Sequence, residues 1–188
     1  RDSKWTLFKI GWLFGFGYFI SNLYWITNSL TFEEIFKPLI PIALIIIPLF
    51  LGLFYGVAIL ILYFFKLNKD FYTILLLSLS FSVIEFIRGF ILGGFPWNLI
   101  VFSWTNYLNS LQIISLIGTY SFNLISITIF SLPLVILFKK NFKFKFIFIF
   151  FLFFILALNH TFGSWIIKKN NKDFNPLDFK IKIVSPKI

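Results

Sequence analysis

Five apolar runs, each about as long as a bilayer is thick, decide what this chain can become. They cover approximately Thr6–Thr27, Leu39–Phe65, Phe71–Leu92, Leu111–Phe138 and Phe144–Ile167. At 1.5 Å of rise per residue, a helix over any of them crosses a hydrocarbon core of about 30 Å, some with tilt. Open strands would leave backbone N–H and C=O groups unpaired in lipid, so the runs should be helices. The expected fold class is an all-α membrane protein, a bundle of about five transmembrane helices over residues 1–167. Charge agrees with this. Only 13% of the residues are charged and 59% are hydrophobic, whereas a soluble domain carries about 25% charged residues. A mean hydropathy of +0.92 leaves too little polar surface to coat a water-soluble globule.

The chain holds 17 Lys+Arg against 7 Asp+Glu, a net charge of +10. In a soluble protein that balance would point to nucleic acid. Here the basic residues sit mainly at the ends of apolar runs, so the expected partner is the lipid bilayer and not nucleic acid. Five spans place the loops alternately on two sides. Arg1, Lys4, Lys9, Lys66, Lys69, Lys139, Lys140, Lys143 and Lys145 fall on one side. The other side has Lys37 in its first loop and no Lys or Arg in Phe95–Asn109. The basic side should face the cytoplasm, which puts the 95–109 loop and the C-terminal tail outside.

Three glycine pairs, Gly11–Gly15, Gly52–Gly56 and Gly89–Gly93, have the small-xxx-small spacing that lets helices approach closely. Glu85 and Arg88 lie three apart and share a helix face inside an apolar run. Ionisable groups there are costly and point into a bundle or a polar cavity. Two readings stay open: a polar anchor whose Arg88 faces a lipid phosphate, or a structural ion pair near the membrane edge. Gly93-Gly94-Phe95-Pro96-Trp97-Asn98 follows, with glycines to end the helix and Pro96 to stiffen the turn. Trp97 suits either an interfacial belt or a substrate contact. Pro48 is expected to kink the second span.

The chain has no Cys, so it carries no disulfide, no thiolate metal site and no cysteine nucleophile. His160 is the only histidine, no metal site or cofactor is expected, and no Ser-His-Asp set, P-loop or paired acidic site is visible. Catalytic residues are therefore expected to be absent from these 188 positions. The tail changes character: 168–178 is polar with Pro176 as a break, a linker, and Phe179, Ile181 and Ile183 then alternate with Lys180 and Lys182 at the period of a strand. A lone strand is unstable, so 179–188 is expected to open a further domain.

Taken in order, Glu85-Phe86-Ile87-Arg88-Gly89, Gly94-Phe95-Pro96-Trp97-Asn98 and Gln112-Ile113-Ile114-Ser115-Leu116-Ile117-Gly118-Thr119-Tyr120 closely resemble the membrane domain of the apolipoprotein N-acyltransferase family. Gly11-Trp12-Leu13-Phe14-Gly15-Phe16-Gly17 and Trp25 look like that family too, and Ile181-Lys182-Ile183-Val184-Ser185-Pro186 is similar to the opening strand of its nitrilase-like domain. The resemblance implies an enzyme of the bacterial inner membrane with eight spans and an outward nitrilase-like domain bearing a Glu-Lys-Cys triad. It implies a ping-pong transfer in which an acyl chain passes from a membrane phospholipid to the cysteine, then to the amino group of a diacylated apolipoprotein. Such covalent catalysis needs a thiolate, which this chain lacks, so residues 1–188 alone are expected to be inactive. The resemblance places Glu85, Arg88, Phe95, Trp97 and Asn98 beside the outer membrane surface as substrate-binding candidates. A small transporter or a non-catalytic scaffold is the alternative reading. Against the transporter, Glu85 and Arg88 are the only clear intramembrane charges.

Overall fold

The computed structural model describes residues 3–65, 71–137 and 142–170. Its elements in chain order are α1 (Lys4–Leu23), α2 (Ile40–Leu62), α3 (Phe71–Arg88), α4 (Leu108–Leu111), α5 (Ile114–Ile117), α6 (Thr119–Phe130) and α7 (Phe142–Asn170). Tighter 3-10 segments at Tyr24–Thr31 and Glu34–Leu39 join α1 to α2, and another at Ile100–Trp104 precedes α4. No strand occurs among the described residues, and the chain is an all-α membrane protein. The linker and strand expected over 168–178 and 179–188 lie outside the described residues, apart from the last turn of α7.

Among the described residues, three helical stretches are long and apolar enough to cross a membrane: Glu34–Leu62, Phe71–Arg88 and Phe142–Asn170. The described residues form the expected all-α membrane bundle, and two of the five runs differ in detail from a single long apolar helix. The first run does form a 20-residue helix, but Lys4, Lys9 and Asn22 dilute its apolar character. The fourth run does not form one helix. It is divided into α4, α5, α6 and a 3-10 segment at Leu132–Leu137. Gly118 stands between α5 and α6 at φ +79°, a left-handed conformation that ends one helix and opens the next. Pro133 falls in the segment after α6, where its missing N–H disfavours continuation. By contrast, Pro41 lies in the first turn of α2, where no intrahelical donor is needed. Pro48 sits buried inside α2 without ending it.

Lipid tails are as apolar as leucine, so helix association in a membrane rests on close packing and interhelical hydrogen bonds. The pair α1 and α2 illustrates the first. Glycines of the two pairs read from the sequence lie in the contact: a β-carbon at Gly15 would lie 2.8 Å from the Gly52 Cα, one at Gly11 would lie 2.5 Å from the Tyr55 carbonyl oxygen, and Gly56 faces the Phe8 ring. Backbone therefore meets backbone at these points, and side-chain adjustment alone could not make room for an added β-carbon. Phe19, Leu23, Leu51, Tyr55, Ala58, Phe81, Ile84 and Ile127 form the core that joins this pair to α3 and α6. Gly15→Val should lower the thermal midpoint in detergent by an amount consistent with about 1–3 kcal/mol of overpacking. Gly17→Val should not, because nothing lies within 4 Å of a β-carbon there. Equal midpoints for the two variants would refute backbone contact at Gly15.

The long α7 turns Phe146, Phe150 and Phe154 outward as a stacked row, with centroids 6.3 and 6.4 Å apart. Its other face meets α4 through polar groups. The Asn159 side chain donates to the Ser110 carbonyl at 2.9 Å, Asn109 donates to Ser164 Oγ at 2.9 Å, and Gly163 lets the Asn109 backbone press against α7.

Candidate functional site

Glu85 and Arg88 close the last turns of α3 and are 0% and 1% exposed. Their common helix face, inferred from the spacing, points into the bundle. The ion pair is loose: Arg88 Nη2 stands 3.9 Å from Glu85 Oε1, beyond hydrogen-bond length. Glu85 is held instead by groups from two other helices. Tyr55 Oη of α2 donates to Oε1 at 2.5 Å, and Asn123 Nδ2 of α6 donates to Oε2. Asn123 also accepts from the backbone N–H of Val101 at 2.8 Å through Oδ1. One carboxylate thus ties α2, α3 and α6 together, and its partner Asn123 pins the 3-10 segment Ile100–Trp104. Burial of a charge is tolerable when its lone pairs are filled in this way.

Arg88 reaches the turn that follows its own helix. Nη1 donates to the Trp97 carbonyl at 3.0 Å, and the guanidinium lies 5.0 Å from the Phe19 ring centroid and 5.8 Å from that of Phe95. Both ring distances fit cation–π contact. Its remaining donors, Nε and Nη2, are buried without a hydrogen-bond acceptor.

The turn is built for close approach. The Phe95 N–H donates to the Arg88 carbonyl at 3.0 Å, folding the chain back onto the helix end. Gly94 adopts φ +79°, and a β-carbon there would lie 2.5 Å from the Gly89 carbonyl oxygen. Only glycine meets both demands. Asn98 is the one non-glycine residue with positive φ among the described residues, at 53°. Its side chain donates to the Asn22 carbonyl at 3.0 Å, and its own carbonyl accepts from Tyr18 Oη at 3.2 Å. Trp97, 52% exposed, stacks on Trp25 at 5.4 Å with 13° between the planes, and lies 6.1 Å from Phe95.

The five sequence-predicted residues therefore come together in one corner, with different surroundings. Glu85 is enclosed and its oxygens are engaged. Asn98 locks the turn to α1. Arg88 is buried beneath the turn, Phe95 is half-buried and Trp97 is half exposed. Tyr55, Asn123, Tyr18 and Asn22 complete the corner, and no spacing rule in the sequence announces them. His160 lies apart on α7, 3.5 Å from Asn109 Nδ2. No group of three or more His, Cys, Asp or Glu comes together as a metal site among the described residues.

These features define a polytopic helical membrane protein with a buried charged corner under a tryptophan-bearing turn. The sequence profile of the apolipoprotein N-acyltransferase N-terminal domain matches residues 1–132. The chain belongs to the apolipoprotein N-acyltransferase family. It is 33% identical over 190 aligned residues to the apolipoprotein N-acyltransferase of Rickettsia prowazekii, covering 100% of this chain and 37% of that protein. The Rickettsia bellii protein of the same name is 32% identical across 96% of the chain and 35% of its own length. That of Sinorhizobium medicae is 35% identical across 68% and 24%. The chain thus spans about a quarter to just over a third of the length of these relatives. No solved structure matches it.

Proposed function

We propose that this chain is the membrane-embedded part of an enzyme that transfers an acyl chain from a membrane phospholipid to the N-terminal diacylglyceryl-cysteine of an apolipoprotein. The observation that carries this reading is the corner at the end of α3. There a buried arginine with two free donors lies beside a half-exposed tryptophan turn, in a chain of this family. A helix bundle of this kind would hold a catalytic domain over the bilayer and admit its lipid substrates. Arg88, Phe95 and Trp97 are the residues assigned to lipid contact. Glu85 and Asn98 act by holding them. The thiolate that would carry the acyl group belongs to sequence outside these 188 residues, since the chain has no cysteine.

A chimera tests this. Residues 1–188 replace the matching segment of the Rickettsia prowazekii relative, and the hybrid is expressed in a strain depleted of its own enzyme. Restored growth and acylated lipoprotein are expected. Residues 1–188 alone should form no acyl-enzyme and transfer nothing. A well-expressed, folded chimera without transfer would argue for the transporter or scaffold reading.

The proposed location is the bacterial inner membrane, with the 95–109 loop and the C-terminal tail periplasmic. The lysine asymmetry supports this orientation. Single cysteines can be introduced without background, because the chain has none. Tyr107→Cys should react with an impermeant thiol reagent in intact cells, and Lys143→Cys only after lysis. The reverse pattern would invert the topology.

A further inference from the structure

Among the described residues, α7 is held to the bundle near its start and near its end, with a gap between. Near the start, Phe148 and Ile149 pack against Ile74 and Val135, and the Phe148 and Phe71 ring centroids are 4.4 Å apart. Near the end, Asn159 and Ser164 bond to α4, and a β-carbon at Gly163 would lie 1.7 Å from the Asn109 carbonyl oxygen. Between them is an apolar cavity of about 330 Å³, lined by Ile155 and Phe162 of α7 and by Ile117, Phe122 and Ile125. Dispersion contacts are missing along that stretch, so the polar contact with α4 decides where the far end of α7 stands.

That contact includes one group able to change charge near neutral pH. Ser164 Oγ donates to the His160 carbonyl at 2.9 Å, and therefore accepts from Asn109 Nδ2, also at 2.9 Å. This fixes which end of the Asn109 amide is the donor. The same amide nitrogen stands 3.5 Å from His160 Nε2, so Nε2 is the bare ring nitrogen and Nδ1 carries the proton. A charged imidazole has N–H on both nitrogens. Nε2 would then turn a donor toward a donor, and reversing the amide would break the chain of bonds through Ser164. Among the described residues no carboxylate faces the ring to balance its charge. α4, α5, α6 and the 95–109 loop contain no Asp, Glu, Lys or Arg, and their titratable side chains are Tyr107 and Tyr120. On α7, Lys168 and Lys169 follow about two turns later, and Lys169 Nζ lies 5.0 Å from the Trp165 ring centroid.

We propose that Asn109, His160 and Ser164 form a proton-sensitive latch. With His160 neutral, the far end of α7 is fastened to α4; a proton on His160 loosens it. Histidine is the side chain whose charge changes between pH 5 and 8, and a contact that the proton opposes is weakened by acid. His160 is exposed on the polar stretch Asn159-His160-Thr161, so water reaches it. The latch joins two parts of the chain that matter to each other. α4 ends the loop that carries Trp97, and the residues after Asn170 depart from the latched helix. Acid would uncouple them. The consequence for acyl transfer rests on the function proposed above; the latch itself does not.

Spin labels test the latch on the purified chain, which has no cysteine to remove. Thr105→Cys with Lys168→Cys puts one label on each side of it, both at exposed positions. Leu13→Cys with Ile45→Cys puts a control pair on exposed positions of α1 and α2. Distances between the electron spins are measured in maltoside detergent at pH 8 and pH 5. The 105–168 pair should give one narrow distance at pH 8. At pH 5 a longer population should appear, with the ratio of released to latched chains raised about three- to tenfold, the scale of one hydrogen bond. The control pair should not respond. His160→Gln is neutral at both values and should keep the narrow distance throughout. Asn109→Ala should show the longer population at both. Should the control pair reveal that Asn109→Ala has not folded, Ser164→Ala removes the acceptor instead and should behave likewise. A 105–168 distance unchanged between pH 8 and pH 5, or a response that persists in His160→Gln, would overturn the latch. None of these readings depends on acyl transfer, so failure of the latch and failure of the functional reading are told apart.

Discussion

Glu85→Ala should be among the most damaging single substitutions in this chain, costing about 3–5 kcal/mol, the scale for removing one member of a buried charged pair. The loss has three parts. Arg88 would keep its charge in a buried position with its counter-ion gone, since Glu85 Oε1 is the carboxylate within 4 Å of it. Tyr55 Oη and Asn123 Nδ2 would lose the acceptor that links α2 and α6 to α3. Asn123 would then be free to rotate away from the Val101 N–H that it holds at 2.8 Å. Glu85→Gln keeps the shape and one acceptor oxygen, so its cost should be smaller, about 1–3 kcal/mol for the hydrogen bonds spoiled. Adding Arg88→Leu to Glu85→Ala should recover part of the loss, because the orphaned cation is removed. Thermal unfolding of the purified chain in detergent reads all of these. A Glu85→Ala midpoint indistinguishable from that of Val83→Ala, on the exposed side of α3, would show that the carboxylate holds nothing together.

The residues of this corner were legible in the sequence, but their partners were not. An ionisable pair three apart in an apolar run already implies a shared, inward face. It carries no information about what fills that face. Tyr55 and Asn123 lie 30 and 38 residues from Glu85, and such pairings emerge only from tertiary packing. The same holds for the glycines. Their spacing marked α1 and α2 as close-packing helices, whereas the mating of Gly15 with Gly52 is a fact of the assembled pair. The division of the fourth run into shorter segments has a different origin. Hydropathy reports where a segment resides and not whether it is one helix. Gly118 and Pro133 were visible, yet their effect depends on backbone conformation, which reaches φ +79° at Gly118. Trp97 is legible as an aromatic on the turn that Pro96 stiffens. Its stacking on Trp25 depends on how the Tyr24–Thr31 segment folds beside the turn.

Arg88→Lys separates the two readings that the sequence left open for the ion pair. Lysine keeps one positive charge near Glu85, so a purely electrostatic counter-ion would survive the exchange. It cannot reproduce a planar fork, because its ammonium is a point charge on a flexible stem. If Arg88 only balances Glu85, the chimera carrying Arg88→Lys should fold and transfer acyl groups at close to the parental rate. If its free Nε/Nη2 edge grips a lipid phosphate, the variant should fold while its apparent KM for phospholipid rises by about ten- to a hundredfold, the equivalent of about 1.5–3 kcal/mol for charged hydrogen bonds. The Nη1 bond to the Trp97 carbonyl complicates this, since lysine loses that contact at 3.0 Å as well. Trp25→Phe serves as the control for the turn, because it weakens the Trp25–Trp97 stack without touching the charge. A mere loosening of the turn should make the two variants behave alike. A rise in KM confined to Arg88→Lys, with the thermal midpoint within a few degrees of the parent, would assign the fork to the lipid. Unchanged KM in a folded Arg88→Lys chimera would return Arg88 to a structural role.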